Sequence, residues 1–109
     1  METLNAIEAL GALSQETRLE AFRTLVRHEP EGLPAGEIAR HLSVPQNTMS
    51  THLAILVNAG LAVSRREGRS VVYRARLATM EGLVSYLLKD CCQGQACLPT
   101  IETTKGQCR

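Results

Sequence analysis

Three of the four cysteines in this chain of 109 residues lie within seven positions, in the segment DCCQGQAC at residues 90–97. They are Cys91, Cys92 and Cys97. The fourth, Cys108, is one residue from the end, and the first 90 residues contain none. Thiolates are soft ligands that select soft ions. The cluster therefore indicates metal binding or redox chemistry in the last part of the chain.

The spacing of these cysteines favours a trivalent metalloid over structural zinc. Zinc usually takes four tetrahedral ligands from Cys-x2–4-Cys pairs, and directly adjacent cysteines suit that geometry poorly. As(III) keeps a lone pair and binds three sulfurs in a trigonal pyramid. Gly94 lets the chain turn back, so that Cys97 meets Cys91 and Cys92. The pattern therefore predicts a site for As(III) or Sb(III).

Two other interpretations of the cysteines remain open. In the first, Cys91 or Cys92 pairs with Cys97 or Cys108 on oxidation or persulfidation, which would make the segment a redox sensor. In the second, these are incidental thiols. An enzyme is not expected, because a nucleophilic cysteine is often found at a helix N-terminus. Here the cysteines follow a predicted helix C-terminus, where the dipole disfavours a thiolate.

Length and composition indicate one soluble domain of modest core size, since apolar residues make up 44% of the chain. No apolar run approaches the roughly 20 residues that a membrane span needs. The first 13 residues contain two Glu and no basic residue, unlike a secretion signal. The expected location is therefore the cytoplasm, where thiols stay reduced.

The net charge is only +1, but its distribution is uneven. Residues 1–60 carry four Arg and seven Glu, a net charge of −3, whereas residues 61–76 carry five Arg and one Glu, a net charge of +4. Residues 77–109 are neutral overall. One concentrated basic stretch favours local contact with a polyanion.

Apolar residues recur at helical spacing in two segments before residue 30. The first is a short amphipathic helix with Leu4, Ile7 and Leu10 on one face. The second is a helix for which Ser14 is a good N-cap. Its predicted apolar face consists of Leu19, Phe22, Leu25 and Val26. The segment EPEGLP then breaks the chain.

Residues 35–60 predict a helix-turn-helix. The segment AGEIARHLSV gives a short helix with Ile38 and Leu42 inward, and QNTMSTHLAILVNAG gives a second helix that ends near Gly60. The apolar face of the second helix consists of Met49, Leu53, Leu56 and Val57, and its outward positions are Asn47, Thr48, Thr51, Ile55 and Asn58. Short polar side chains in the N-terminal half suit contact with DNA bases in the major groove.

A basic β-hairpin is predicted to follow. The strand-like segments LAVSRR and SVVYRA flank the turn EGR, which places Arg65, Arg66 and Arg69 near the tip. These arginines suit a phosphate run or the minor groove. The complete set of predicted DNA contacts is Gln46, Asn47, Thr48, Ser50, Thr51, His52, Arg65, Arg66 and Arg69. Ser50 and His52 are expected at phosphates. The alternative is that these residues form only a solvated surface.

The last predicted helix has a long apolar stripe of Met80, Leu83, Val84, Leu87 and Leu88. This stripe is too apolar to face water in so small a domain, so a partner chain is expected to cover it, although part of it could pack inward. The expected division is a domain over residues 1–90 and a cysteine-containing tail over residues 91–109.

The segments LSQETRLEAFRTLV and MSTHLAILVNAGLAVSRREGR resemble the ArsR/SmtB family of metal-sensing repressors, and the similarity extends over about residues 4–90. The resemblance implies a mainly α-helical winged helix-turn-helix with a small β-hairpin. It also implies a homodimer formed by the first and last helices, here through Leu4, Ile7, Met80, Leu83, Val84, Leu87 and Leu88. The expected partner is a palindromic double-stranded operator, which the protein releases when inducer binds.

Two known sensor positions of this family are not available in this sequence. The Cys-x-Cys pair of many arsenic sensors corresponds to Pro34 and Gly36, which cannot ligate. The zinc ligands of the last helix are represented by Glu81 alone, and His28, His41 and His52 lie in other elements. Some arsenic-responsive members resemble this chain in carrying an adjacent Cys pair and a third Cys after the last helix.

The resulting hypothesis is a repressor that leaves its operator when As(III) binds to Cys91, Cys92 and Cys97, with Sb(III) as a second candidate ion. No catalytic cofactor and no membrane partner are expected. The alternative function is a redox- or persulfide-sensing repressor that uses the same cysteines. A constitutive DNA-binding protein with a zinc-binding tail is a further competitor, which metal content after purification would identify.

Overall fold

The computed structural model describes residues 1–89, and the cysteine segment lies outside them. The described chain forms five helices and three short strands. The helices are α1 (Thr3–Leu13), α2 (Glu16–Arg27), α3 (Ala35–Leu42), α4 (Gln46–Asn58) and α5 (Leu77–Leu87). The strands are β1 (Leu33–Pro34), β2 (Ala62–Glu67) and β3 (Ser70–Ala75). The mainly helical fold with a small hairpin is therefore confirmed, and none of these helices is long and apolar enough to cross a membrane.

The three strands form one antiparallel sheet in the order β1-β3-β2. Strands β2 and β3 pair from Ala62 opposite Ala75 to Glu67 opposite Ser70, which leaves a two-residue turn. Gly68 occupies the first turn position with a φ of 63°. A glycine there is typical of hairpin turns that match the twist of the strands. The predicted three-residue turn was wrong by one residue, because Glu67 continues the strand.

Strand β1 was not predicted, and a glycine explains how it reaches the sheet. Gly32 precedes β1 with a φ of 78°, and a Cβ atom built there would lie 2.4 Å from the carbonyl oxygen of Tyr73. Only glycine combines this left-handed conformation with so close an approach to another backbone. The chain can then pair Leu33 with Tyr73 in β3.

We expect Gly32→Ala to lower the free energy of unfolding by at least about 3 kcal/mol, because the left-handed conformation is strained for alanine and the added carbon collides with backbone. Gly68→Ala is the matched control. It has a similar φ of 63° but no atom within 4 Å of the added carbon. The Gly68→Ala substitution should cost about 1–2 kcal/mol of unfolding free energy. Urea denaturation of both variants measures the difference, and equal losses would contradict the proposed collision.

The core lies where the helix-turn-helix packs against α2 and the base of the hairpin. The largest completely buried apolar side chains are Leu25, Ile38, Met49, Leu53, Leu56 and Leu61. Thr24 is the buried polar residue among them, and its hydroxyl donates to the carbonyl oxygen of Glu20 at 2.8 Å. The inward faces of α3 and α4 predicted from the sequence are therefore confirmed at their central positions.

Helix α2 begins one residue later than predicted, at Glu16. Its buried face also differs from the predicted one, since Leu19 and Val26 are exposed. The N-cap is Gln15, whose side-chain oxygen accepts from the backbone N–H of Arg18 at 2.9 Å. Ser14 instead ends α1, where its hydroxyl donates to the carbonyl oxygen of Gly11. The prediction of Ser14 as the cap was wrong, because the end of α1 uses its hydroxyl.

Candidate nucleic-acid interface

Helix α4 presents a polar face to solvent. Its inward residues anchor it in the core, which leaves the opposite side exposed over its whole length. The exposed positions include all the predicted outward residues, namely Asn47, Thr48, Thr51, Ile55 and Asn58. Gln46 is also exposed at the helix start, and Gly60 follows the helix end with a φ of 81°. The sequence prediction of which α4 residues face outward is confirmed.

The polar groups of this face retain capacity for hydrogen bonds. The side-chain oxygen of Asn47 accepts from the backbone N–H of Thr48 at 2.9 Å, so its amide NH₂ group can still donate. The Thr51 hydroxyl donates to the carbonyl oxygen of Asn47 at 3.3 Å and can still accept. A helix carrying such groups can read donors and acceptors on base edges.

The two residues predicted to flank this face are less exposed. Ser50 and His52 are half-buried. His52 lies beside α2, with its Nδ1 atom 3.4 Å from the guanidinium Nη1 of Arg18. Both side chains therefore lie at the edge of the polar face, and their contact with phosphates stays a prediction.

The hairpin of β2 and β3, called the wing below, carries its cations on two different faces. Residues directly opposite each other in an antiparallel pair share a face. Arg66 is opposite Val71, whereas Arg65 is opposite Val72. Arg66 therefore shares a face with Val71 and Tyr73, and Arg65 lies on the other face together with Glu67.

The two faces of the wing differ in how far their charges are neutralised. Arg65 donates to the carboxylate of Glu67 at 2.7 Å through Nε. Arg74, on the same face, pairs with Glu29 at 2.7 Å. Within residues 1–89, Arg66 and Arg69 have no ion-pair partner. The cations available to a polyanion are therefore concentrated at the tip and on the face of Arg66.

That face borders an open pocket of about 280 Å³ between α3, α4 and the wing. The lining residues are Pro34, Ala35, Gly36, Gln46, Ser50, Arg69, Ser70, Val71 and Tyr73. The side chain of Gln46 lies close to α3 at Gly36, because a Cβ atom at that glycine would be only 3.3 Å from the side-chain oxygen of Gln46. Ser70 and Tyr73 were not among the predicted residues, although the alternation of β3 places Tyr73 on the same face as Val71 and Arg66, and Ser70 directly follows Arg69 at the tip.

The wing is fixed to the body of the domain through Arg74. Its guanidinium contacts both carboxylate oxygens of Glu29, at 2.7 and 3.4 Å. The hydrogen bond and the negative charge of Glu29 raise the pKa of Arg74 above its usual value. Two parallel contacts of this type fix orientation as well as distance. The pair therefore connects the wing to the segment after α2, in addition to the pairing of β3 with β1.

A separate apolar surface lies on α1 and α5. The inward side of α1 consists of Ala6, Ala9 and Ala12, all buried. Its outward side carries Leu4, which is 73% exposed, and Ile7, which is 58% exposed. At the other helix, Leu87 is 55% exposed and Leu88 is also exposed. This surface, called the outer stripe below, has nothing covering it within a single copy of the described chain.

The remaining predicted dimer residues of α5 lie closer to the chain's own core. Met80 and Val84 are half-buried, and Leu83 is only 3% exposed. Leu83 packs in the hydrophobic core of its own chain, so its assignment to a partner contact is corrected. Tyr86 links α5 to α1, because its hydroxyl is 2.6 Å from that of Thr3.

The three histidines belong to different elements, as predicted, but two of them are neighbours in the fold. The rings of His28 and His41 lie edge to face with their centroids 5.7 Å apart. The Nδ1 atom of His28 is 2.9 Å from the carbonyl oxygen of Thr24. Within residues 1–89, no group of three or more His, Asp or Glu side chains could hold a metal ion. The predicted ligands Cys91, Cys92 and Cys97 lie outside the described residues, and so does Cys108.

Comparison with known proteins gives consistent matches. A family model for a helix-turn-helix domain matches residues 13–65. The transcriptional activator HlyU of Vibrio cholerae is 31% identical over 88 residues, which cover 81% of this chain and 79% of HlyU. The structure of HlyU superposes with a TM-score of 0.65, covering 85% of this chain and all of that one, and HlyU has also been solved in a reduced form.

Two further structures share this architecture. An ArsR-like transcriptional regulator from Rhodococcus sp. RHA1 has a TM-score of 0.67 at 30% identity, over 77% of this chain and 76% of that one. The homodimeric winged helix-turn-helix DNA-binding domain of Mb0332 from Mycobacterium bovis has a TM-score of 0.61 at 25% identity, over 77% and 82% of the two chains. HlyU and the Rhodococcus protein are named as regulators of transcription, in agreement with the expectation that this chain is not an enzyme.

Proposed function

The chain belongs to the ArsR family of winged helix-turn-helix transcriptional regulators, and from this premise we propose that it is a homodimeric repressor released from its operator by As(III). In this proposal, α4 reads base edges in the major groove and the wing contacts the adjacent backbone. The outer stripe joins two copies. Cys91, Cys92 and Cys97 bind the metalloid and thereby weaken the binding of DNA.

The observation that carries the DNA-binding part is the position of two polar surfaces on one side of the domain. The N-terminal half of α4 exposes Asn47, Thr48 and Thr51, and the pocket beside it is bordered by Arg69 of the wing. Side chains of this kind read base edges, and an unpaired arginine at the tip suits phosphates. One face of the domain can therefore supply both kinds of contact.

The homodimer is supported by the outer stripe and by the homodimeric Mb0332 domain. Exposed leucine and isoleucine side chains grouped on α1 and at the end of α5 mark a protein interaction surface. Two copies related by a twofold axis would place two α4 helices about one turn of DNA apart, roughly 34 Å. Such a dimer matches a palindromic operator.

The inducer is proposed from the chemistry of the three thiols and from their position in the sequence, directly after α5. Leu87 and Leu88, which are exposed residues of the outer stripe, lie just before this segment in the sequence. Thiolate binding there would change the end of α5 and the relative tilt of the two copies. A coupling of about 1–3 kcal/mol lowers operator affinity by about 5–150-fold.

The test is fluorescence anisotropy of the reduced protein on DNA from its own upstream region, titrated with As(III), with zinc and with peroxide. We expect As(III) to release the wild type but neither Cys91→Ser nor Cys92→Ser, both of which should still bind DNA. A Cys91→Ser variant that binds and is still released by As(III) would contradict the site assignment. Because HlyU is named an activator, a reporter gene under the same operator tests the direction of regulation separately.

A second candidate function is redox or persulfide sensing through the same cysteines. It is favoured by the fact that the relative HlyU has been solved in an explicitly reduced form. Under this hypothesis, peroxide or persulfide releases the DNA while As(III) leaves binding unchanged. Mass spectrometry of the released protein would then show a disulfide that joins Cys91 or Cys92 to Cys97 or Cys108.

The charge pairing on the wing gives a prediction that does not depend on the inducer. Glu67→Gln removes a carboxylate from the wing and frees Arg65 for phosphate. We expect operator affinity to rise by about 2–10-fold at low salt, with a steeper salt dependence because one more cation displaces counterions. Glu37→Gln is the matched control, since Glu37 pairs with Arg40 on α3 rather than on the wing. Equal gains in both variants would indicate a general effect of net charge.

A further inference from the structure

Arg18 connects the helix of the outer stripe to the DNA-reading helix. It lies in the first turn of α2, half-buried. Its Nε atom donates to the carbonyl oxygen of Ala12, in the last turn of α1, at 2.6 Å. Its Nη1 atom lies 3.4 Å from Nδ1 of His52 on α4. One guanidinium therefore contacts two helices with different tasks.

The contact with Arg18 favours one arrangement of hydrogen bonds at the His52 ring. A guanidinium is always charged and can only donate, so Nδ1 of His52 must be the acceptor. The neutral imidazole then carries its proton on Nε2, which makes Nε2 a donor. A donor is what a side chain at the edge of α4 needs to bind a phosphate oxygen. A hydrogen bond from Arg18 to Nδ1 thus favours the tautomer of His52 that leaves a donor at Nε2.

The contact with Ala12 matters because α1 packs through small side chains. Its buried face is made of three alanines, whose methyl groups do not interlock with neighbouring residues as larger side chains do. Polar contacts near the two ends therefore contribute strongly to its position. At the N-terminal end Thr3 contacts Tyr86, and at the C-terminal end Ala12 accepts from Arg18. The cation also suits the negative end of the helix dipole.

We infer that Arg18 is a positioning residue that couples the outer stripe on α1 to His52 and α4. A shift of α1 moves the carbonyl oxygen of Ala12, which repositions the guanidinium and with it the hydrogen bond to Nδ1 of His52. The inference rests on the proposed function, since it assumes a dimer that reads DNA with α4. In this inference Arg18 affects operator affinity through His52, without a direct contact between Arg18 and DNA.

The test compares Arg18→Lys with Arg23→Lys, the control at an exposed arginine of the same helix. Lysine keeps the charge but lacks the planar fork that reaches both partners. At protein concentrations at which all variants are dimers, we expect Arg18→Lys to lower operator affinity about 10-fold with an unchanged salt slope, whereas Arg23→Lys leaves affinity within about twofold. In a His52→Ala background, Arg18→Lys should have little further effect, because the two side chains act as one unit.

Nitrogen NMR shifts of His52 supply a readout that a purely structural role would not change. The wild type should show the Nε2–H tautomer, and Arg18→Lys should move the ring toward a mixture of tautomers. Additive effects of the two substitutions, or an unchanged His52 tautomer, would overturn the coupling. A salt slope smaller by about 0.9 for each lost contact would make Arg18 a direct phosphate ligand instead. If the wild type itself fails to bind DNA, the proposed function fails rather than the coupling.

Discussion

Ile7→Glu should yield a folded monomer that has lost about 10²–10⁴-fold of its affinity for a palindromic operator, because the two half-sites are no longer bound by one linked unit. Ile7 is 58% exposed in the single chain, so the new carboxylate stays in water and the fold is preserved. In a dimer the same carboxylate would be buried without a partner, which costs several kcal/mol. Sedimentation velocity measures the association state, and anisotropy measures the affinity.

Leu19→Glu is the matched control for this prediction. Leu19 is an exposed leucine on α2 rather than on α1 or α5. We expect this variant to remain a dimer with operator affinity close to that of the wild type. If Ile7→Glu also remained a dimer, the outer stripe would not be the interface, and the homodimer would need another surface.

Thr51→Asp is expected to reduce operator binding about a thousandfold while leaving the fold unchanged. Thr51 is exposed in the middle of the polar face of α4, so the substitution has little effect on the core. Against DNA it places a carboxylate close to phosphates, where like charges cost several kcal/mol, and a dimer carries the change twice. Circular dichroism would confirm the helix content, and anisotropy would measure the loss.

Asn58→Asp adds the same charge at the C-terminal end of the same exposed face. Since the N-terminal half of α4 is the part proposed to enter the groove, this control should lose no more than about 10-fold. Equal losses in both variants would mean that α4 lies along the DNA in a different orientation, or that the effect is one of net charge alone.

The sequence predicted α4 and its exposed face well, because this helix is amphipathic over its full length. Buried and exposed positions alternate at a helical period from Met49 to Leu56, and Gly60 follows its end. The wing was also predicted, because β3 contains two valines and a tyrosine and Gly68 marks the turn between the strands. For these elements, local pattern and tertiary environment give the same answer.

The sequence was less informative where burial depends on a neighbouring element. The predicted apolar face of α2 included Leu19 and Val26, which are exposed, and it omitted Ala21 and Thr24, which are buried. Hydrophobicity alone does not show that a close helix contact needs a small residue. Thr24 is tolerated in the core because its hydroxyl has a backbone acceptor. Strand β1 was also missed, because a strand of two residues is too short to show a periodic pattern.

For the candidate site, types of residues were easier to predict than their pairing. Arg65, Arg66 and Arg69 appear equivalent in the sequence, yet the strand register separates Arg65 from Arg66, and Glu67 neutralises only Arg65. His52 was expected to be free for phosphate, and Arg18, 34 positions earlier, contacts its ring. Such long-range contacts follow from the packing of α2 on α4, which the sequence pattern does not specify.

The alanine face of α1 has a consequence for regulation. The exposed side chains Leu4, Ile7 and Leu10 leave mainly alanines and Leu13 of α1 to pack on its own chain, and in the proposed dimer the exposed side chains would pack on a second copy. Assembly then depends on copy number, and every tenfold dilution removes about 1.4 kcal/mol of its driving force. Below the dissociation constant, the number of dimers varies with the square of the number of chains. A small change in synthesis or degradation would therefore change operator occupancy more than proportionally.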